Sequence, residues 1–103
     1  MAIRNKNTLF SLILNNQKKI KSFGVKKIGL FGSFVRGEQN KKSDVDFLVE
    51  FDKERKTFDN FINLSFFLED LIGKKVEVIT VESLSPYIGP HILKEVEYVP
   101  FTS

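Results

Sequence analysis

The segment Ser43-Asp44-Val45-Asp46-Phe47-Leu48-Val49-Glu50-Phe51 constrains this chain more than any other. Its alternation predicts a strand from Asp44 to Phe51. Successive strand side chains point to opposite faces, so Asp44, Asp46, Leu48 and Glu50 share one face while Val45, Phe47, Val49 and Phe51 share the other. The apolar set requires a covered face. The acidic set places two carboxylates on one side of the strand, with Cα atoms about 6.5–7 Å apart. Acids held that near raise each other's pKa unless a cation neutralises them. Hard oxygen ligands with no His or Cys beside them suit Mg²⁺ or Mn²⁺ and not zinc.

The remaining elements surround this strand. Apolar residues at Leu9, Leu12, Ile13 and Ile20 predict a helix from Thr8, as N-cap, to about Phe23, with Gly24 as its stop. Val25–Phe31 reads as a strand that runs into Gly32, Ser33 opens a short helix through Arg36, and Gly37 closes it. The polar run 38–43 is a loop. A second long helix spans Thr57 to Ile72 with Gly73 after it, and Lys75–Thr80 alternates as a third strand. Pro90–Glu97 reads as a last short helix, and Tyr98-Val99 as an edge strand. Strands separated by helices predict an α/β (α+β) fold in one domain over residues 1–103: a small mixed sheet of three to four strands with helices packed on it.

Composition removes several functions. Hydrophobic residues at 42% and charged residues at 28% fit a folded globular chain. There is no cysteine, which excludes disulfides, thiolate nucleophiles and zinc ribbons. His91 stands alone and no Gly-x-Ser-x-Gly elbow accompanies it, which argues against a serine hydrolase. The apolar run Leu9–Leu14 is too short for a membrane span and lacks a cleavage site, so no membrane association and a cytoplasmic location are expected. The net charge of +3 would help a nucleotide approach without requiring nucleic acid, and the lysines read as solvated surface. The eleven phenylalanines mostly occupy periodic positions, which favours core packing over base stacking.

Two further features bear on the acids. Glu77 lies between Val76 and Val78, on the opposite face from them, so pairing of its strand beside the Asp44 strand would add a third carboxylate. Three acids from adjacent strands suit a two-metal site; the alternative is that they line a solvated sheet face. Upstream, Gly32 permits close backbone approach to a ligand, and Ser33 offers a hydroxyl and a helix-start N–H to a phosphate. Arg36 reads either as a partner for phosphate charge or as a tie between the short helix and its surroundings. Ser43 reads as a loop-anchoring hydroxyl.

The run GSFVRGEQNKKSDVDFLVEF resembles the signature of minimal nucleotidyltransferases in the DNA polymerase beta superfamily: Gly-Ser, then Arg-Gly, then Ser-Asp-x-Asp on a strand. Gly32, Ser33, Arg36, Gly37, Ser43, Asp44 and Asp46 carry the match. The resemblance implies a polymerase beta-like nucleotidyltransferase fold and transfer of a nucleoside monophosphate from a nucleoside triphosphate, with ATP expected, to an acceptor hydroxyl. It implies that Gly32 and Ser33 hold the β- and γ-phosphates, that Arg36 contacts the nucleotide, and that Asp44, Asp46 and Glu77 bind two Mg²⁺ ions, with Mn²⁺ as substitute. Where the family pattern has Asp, this chain has Glu77, longer by about 1.5 Å, which implies an adjusted site or slower catalysis. Small members are commonly antitoxins paired with a HEPN-domain protein, so a protein acceptor and a HEPN partner are implied; the small size of the chain adds the expectation of oligomerisation or a hetero-complex. A partner-occluding binding module and an aminoglycoside-like small-molecule transferase are the other readings.

Overall fold

Along the central strand β2, Val45–Phe51, the core face is Val45, Phe47 and Val49, all fully buried, while on the other face Asp46 and Glu50 are half-buried and Leu48 between them is buried too. The computed structural model describes residues 5–102. Around β2 stand β1 (Val25–Phe31), β3 (Val76–Thr80) and β4 (Glu97–Tyr98), in the order β3-β2-β1-β4. β1 runs antiparallel to both β2 and β4, and β2 runs parallel to β3, so the sheet is mixed.

The helices are α1 (Lys6–Asn15), α2 (Gln17–Ser22), α3 (Ser33–Arg36), α4 (Phe58–Ile72) and α5 (Gly89–Glu95), with 3₁₀ turns at Lys53–Arg55 and Val81–Ser83. The parallel β2–β3 pair needs a crossover, and α4 supplies it. Thr57 caps α4 by accepting the Asn60 N–H at 3.1 Å, and Gly73 ends it at φ 75°.

Three expectations require correction. The helix expected from Thr8 to Phe23 is two helices meeting at Asn16, whose amide donates back to the Leu12 carbonyl at 2.9 Å. An Asn side chain that bonds the backbone competes with helix continuation. Its N-cap is Asn5, which accepts the N–H of Thr8 at 2.9 Å; Thr8 lies within the first turn. The last helix ends at Glu95, two residues before the expected Glu97, because Glu97 pairs with Leu30 across the β1–β4 ladder.

One sheet face carries the main core. Leu9, Ile13 and Ile20 from α1 and α2, with Leu64 and Leu68 from α4, pack on Ile28, Leu30, Phe47 and Val49. Nine of the eleven phenylalanines are buried or packed against this core and its neighbour, whereas Phe58 and Phe66 are exposed. The opposite face is only partly covered: Phe31 and Leu48 meet Ile92 of α5, with Val96 and Leu84 at the margin. Asp46 and Leu48 share this thinner side, so the acids stand beside a small apolar cluster and not under the helical layer.

Gly29 allows α5 to come this close. A Cβ there would meet Val96 Cγ2 at 2.7 Å and the Tyr98 ring at 3.0 Å. Gly29→Val is therefore expected to lower stability by about 1–3 kcal/mol through overpacking, measured by urea unfolding. An unchanged midpoint would show that α5 and β4 are not seated here.

Candidate active site

The register of the sheet makes Asp46 and Glu77 neighbours and sets Asp46 at the end of β1. Asp46 lies opposite Phe31 of β1 on one side and beside Glu77 of β3 on the other. Adjacent strands are about 4.8 Å apart, so Glu77 is the lateral neighbour of Asp46 on the same face. Asp44 sits one residue before β2, where Lys74 holds the incoming loop through the carbonyls of Lys41 and Ser43, each at 3.2 Å. The Ser43 hydroxyl accepts the Asn40 N–H at 2.8 Å, the loop-anchoring part expected of it.

Directly after Phe31 the chain turns at Gly32, with φ 79° and ψ −152°, a conformation essentially confined to glycine. A Cβ built on Gly32 would collide with the carboxylate of Asp46. The turn and the acid are thus in contact, and only glycine permits it. Ser33 begins α3, and the Val35 and Arg36 N–H groups bond back to the Gly32 carbonyl at 3.1 and 3.2 Å.

Arg36 is tied on two sides. Its Nε donates to Glu38 at 2.7 Å and its Nη1 donates to Glu95 at 2.6 Å. Those bonds, with Glu38 first, hold its pKa above the ordinary arginine value. The structural tie weighed for this residue is present, and three of the five guanidinium N–H groups are not used by these two bonds. Glu95 is a functional candidate that the sequence reading missed. It sits 59 residues from Arg36 in sequence, on a short helix with no local motif, and the β1–β4 pairing and the packing of Ile92 on Phe31 and Leu48 bring it to the turn.

The acids feel each other. Burial, followed by the charges of Glu77 and Asp44, pushes the Asp46 carboxyl up from 3.8 to about 6, with Arg36 opposing and Glu95 adding to the rise. Asp44 and Glu77 are exposed. The three side chains are not drawn to a common point, and no group of three or more His, Cys, Asp or Glu is arranged to hold a metal among the described residues. The donor chemistry nevertheless fits a hard divalent cation: all three ligand candidates are carboxylates, Asp46 and Glu77 are adjacent in register, and the most buried is repelled by the other two.

A mixed sheet with Asp46 on its central strand, Glu77 beside it on the next, and a Gly-Ser turn in contact with Asp46 has the form of a nucleotidyltransferase core. Residues 13–99 match the nucleotidyltransferase domain family, and the chain belongs to that family. It is 40% identical over 100 residues to the protein adenylyltransferase MntA of Thermococcus cleftensis, covering 96% of this chain and 100% of that protein. A structure described as a minimal nucleotidyltransferase superposes with TM-score 0.78 at 29% identity, over 90% of this chain and 94% of that one. The fold also recurs, at TM-score 0.63 and 18% identity, in a chain of the complex between MNT antitoxin and tri-AMPylated HEPN toxin of Shewanella oneidensis, over 90% of this chain and 73% of that one. Among the described residues no helix is long and apolar enough to cross a membrane.

The raised pKa of Asp46 has a signed consequence for stability. An acid whose folded pKa exceeds its unfolded one favours the fold when protonated, fully below about pH 4, and that benefit is lost as pH rises through about 6. In metal-free buffer Asp46→Asn is therefore expected to be more stable than the parent near pH 7.5, by about 1 kcal/mol after discounting for solvent screening. The difference should vanish near pH 4 in urea titrations. A destabilised Asn variant at neutral pH would contradict the strained-acid description.

Proposed function

We propose that this chain is a metal-dependent protein adenylyltransferase, moving AMP from ATP to a hydroxyl of a partner protein as the antitoxin half of a HEPN/MNT pair in the cytoplasm. The observation that carries this reading is the placement of Asp46 between the Gly32 turn and Glu77. It is supported by the relative named protein adenylyltransferase, which this chain matches over its whole length. Solved complexes of the same fold, described as a toxin-antitoxin with AMP-PNP and as a HEPN toxin with its MNT antitoxin, agree with it.

In the reaction, the acceptor oxygen forms a bond to the α-phosphorus, the bond from that phosphorus to the bridging oxygen breaks, and pyrophosphate leaves with the electron pair. The hydroxyl proton passes to a carboxylate. Glu77 is the exposed member of the β2–β3 pair, open to an acceptor arriving from solvent. The Ser33 hydroxyl and N–H serve the β- and γ-phosphates at the start of α3, and Gly32 lets the nucleotide approach without a Cβ in the way. Arg36 lends its remaining N–H groups to phosphate charge. Divalent cations, two Mg²⁺ in this reading with Mn²⁺ as substitute, would be held by Asp44, Asp46 and Glu77 and would supply neutralisation of phosphate charge and a more acidic acceptor hydroxyl.

The test is label transfer from α-labelled ATP to the HEPN partner with Mg²⁺ or Mn²⁺. The parent protein should label its partner, and Asp44→Asn or Asp46→Asn should lower the rate by at least about 10²–10³-fold. Glu77→Gln should lose activity, and Glu77→Asp should retain or exceed it. If nothing is labelled, and if the double Asn variant still neutralises the partner, the chain is a binding module and not a transferase.

A further inference from the structure

The Glu95 carboxylate bridges two groups that are both distant from it in sequence. One oxygen accepts the Gly32 N–H at 3.2 Å and the other accepts from Arg36 Nη1 at 2.6 Å. We propose that Glu95 is a positioning residue for nucleotide binding, fixing with one carboxylate both the phosphate-receiving turn and the guanidinium beside it. This rests on the reading of the Ser33 turn and Arg36 as triphosphate contacts.

Three observations favour it. Glu95 is the more sheltered end of the pair: its side chain is 21% exposed against 50% for Arg36 and 64% for Glu38. A charge-assisted bond to a sheltered carboxylate restrains an arginine better than one to a solvated neighbour two residues away. α5 is anchored on the sheet, with Ile92 buried and Val96 seated over Gly29, so the carboxylate comes from a rigid support. Finally, Glu95 adds negative charge beside an acidic cluster. Packing alone would be served as well by an uncharged side chain without that repulsion, whereas a carboxylate gives the guanidinium a charge-assisted bond stronger than a neutral acceptor provides.

The geometry also divides the turn's labour. The Gly32 N–H is taken by Glu95, which leaves the N–H and hydroxyl of Ser33 for phosphate. Arg36, held by carboxylates at Nε and Nη1, keeps three N–H groups. A side chain with several rotatable bonds would otherwise lose that freedom when the nucleotide arrives, at a cost in affinity; Glu95 removes it beforehand.

The test measures binding of a non-hydrolysable ATP analogue with Mg²⁺ by calorimetry, together with KM and kcat in the transfer assay. Glu95→Gln should weaken binding about tenfold and raise KM for ATP more than it lowers kcat. Glu95→Asp, which keeps the charge, should recover part of the loss. In an Arg36→Ala background, which itself binds weakly, Glu95→Gln should cost less than about twofold more. If the parent binds and Arg36→Ala weakens it, yet Glu95→Gln binds equally well or more tightly, this inference alone fails; tighter binding would make Glu95 a competitor of phosphate. Equal losses for Gln and Asp that follow the melting temperature would reduce Glu95 to a structural tie and also overturn it. If the parent does not bind, or Arg36→Ala has no effect, the reading of the phosphate site fails with it.

Discussion

The register of β2 against its two neighbours is the constraint on which the rest depends. Val45, Phe47, Val49 and Phe51 enter the main core, so a slip by one residue would bury the acids and expose the apolar set. That penalty fixes which side Asp46 faces and which residues flank it. With Phe31 opposite and Glu77 alongside, the same strand that closes the core presents a carboxylate to the end of β1, where the chain turns at Gly32. Core packing and site geometry are therefore one choice.

The two faces of the sheet divide the remaining work. α1, α2 and α4 bury one face and stabilise the fold. α5 covers only part of the other, leaving the acids accessible while Ile92 and Leu48 exclude water at the margin. The electrostatics of this open face are unfavourable in isolation, since Asp46 is burdened by burial and by Glu77 and Asp44. Arg36 offsets some of that charge, and its own position depends on Glu38 and Glu95. Such strain would be relieved by the cations and polyphosphate of the proposed reaction.

Much of this was legible in the chain. Strand alternation located β2 to within one residue and assigned its faces, because period two leaves no freedom once one face is apolar. The Gly32 turn and the β3 position of Glu77 followed from local patterning, and the pairing of β3 beside β2 made the acids neighbours. What could not be read arose from competing local bonds or distant pairing. Asn16 divides a helix whose apolar spacing continues through it, because its side chain reaches the Leu12 carbonyl. Asn5 displaces Thr8 as the cap although both are suitable residue types. Glu95 carries no signal at all in its own segment: its place beside Gly32 is a product of tertiary topology, 63 residues away in sequence.

The proposed reaction requires Asp44, Asp46 and Glu77 to form one cation site beside the Gly32 turn. The most direct measurement is anomalous scattering from crystals grown with Mn²⁺ and a non-hydrolysable ATP analogue. The expected result is Mn²⁺ bound by oxygens of Asp44 and Asp46, with Glu77 drawn in as a ligand and the triphosphate reaching Ser33, at metal–oxygen distances of about 2.0–2.5 Å. Nucleotide bound with Mn²⁺ elsewhere, or Glu77 left pointing to solvent with both ions in place, would contradict it.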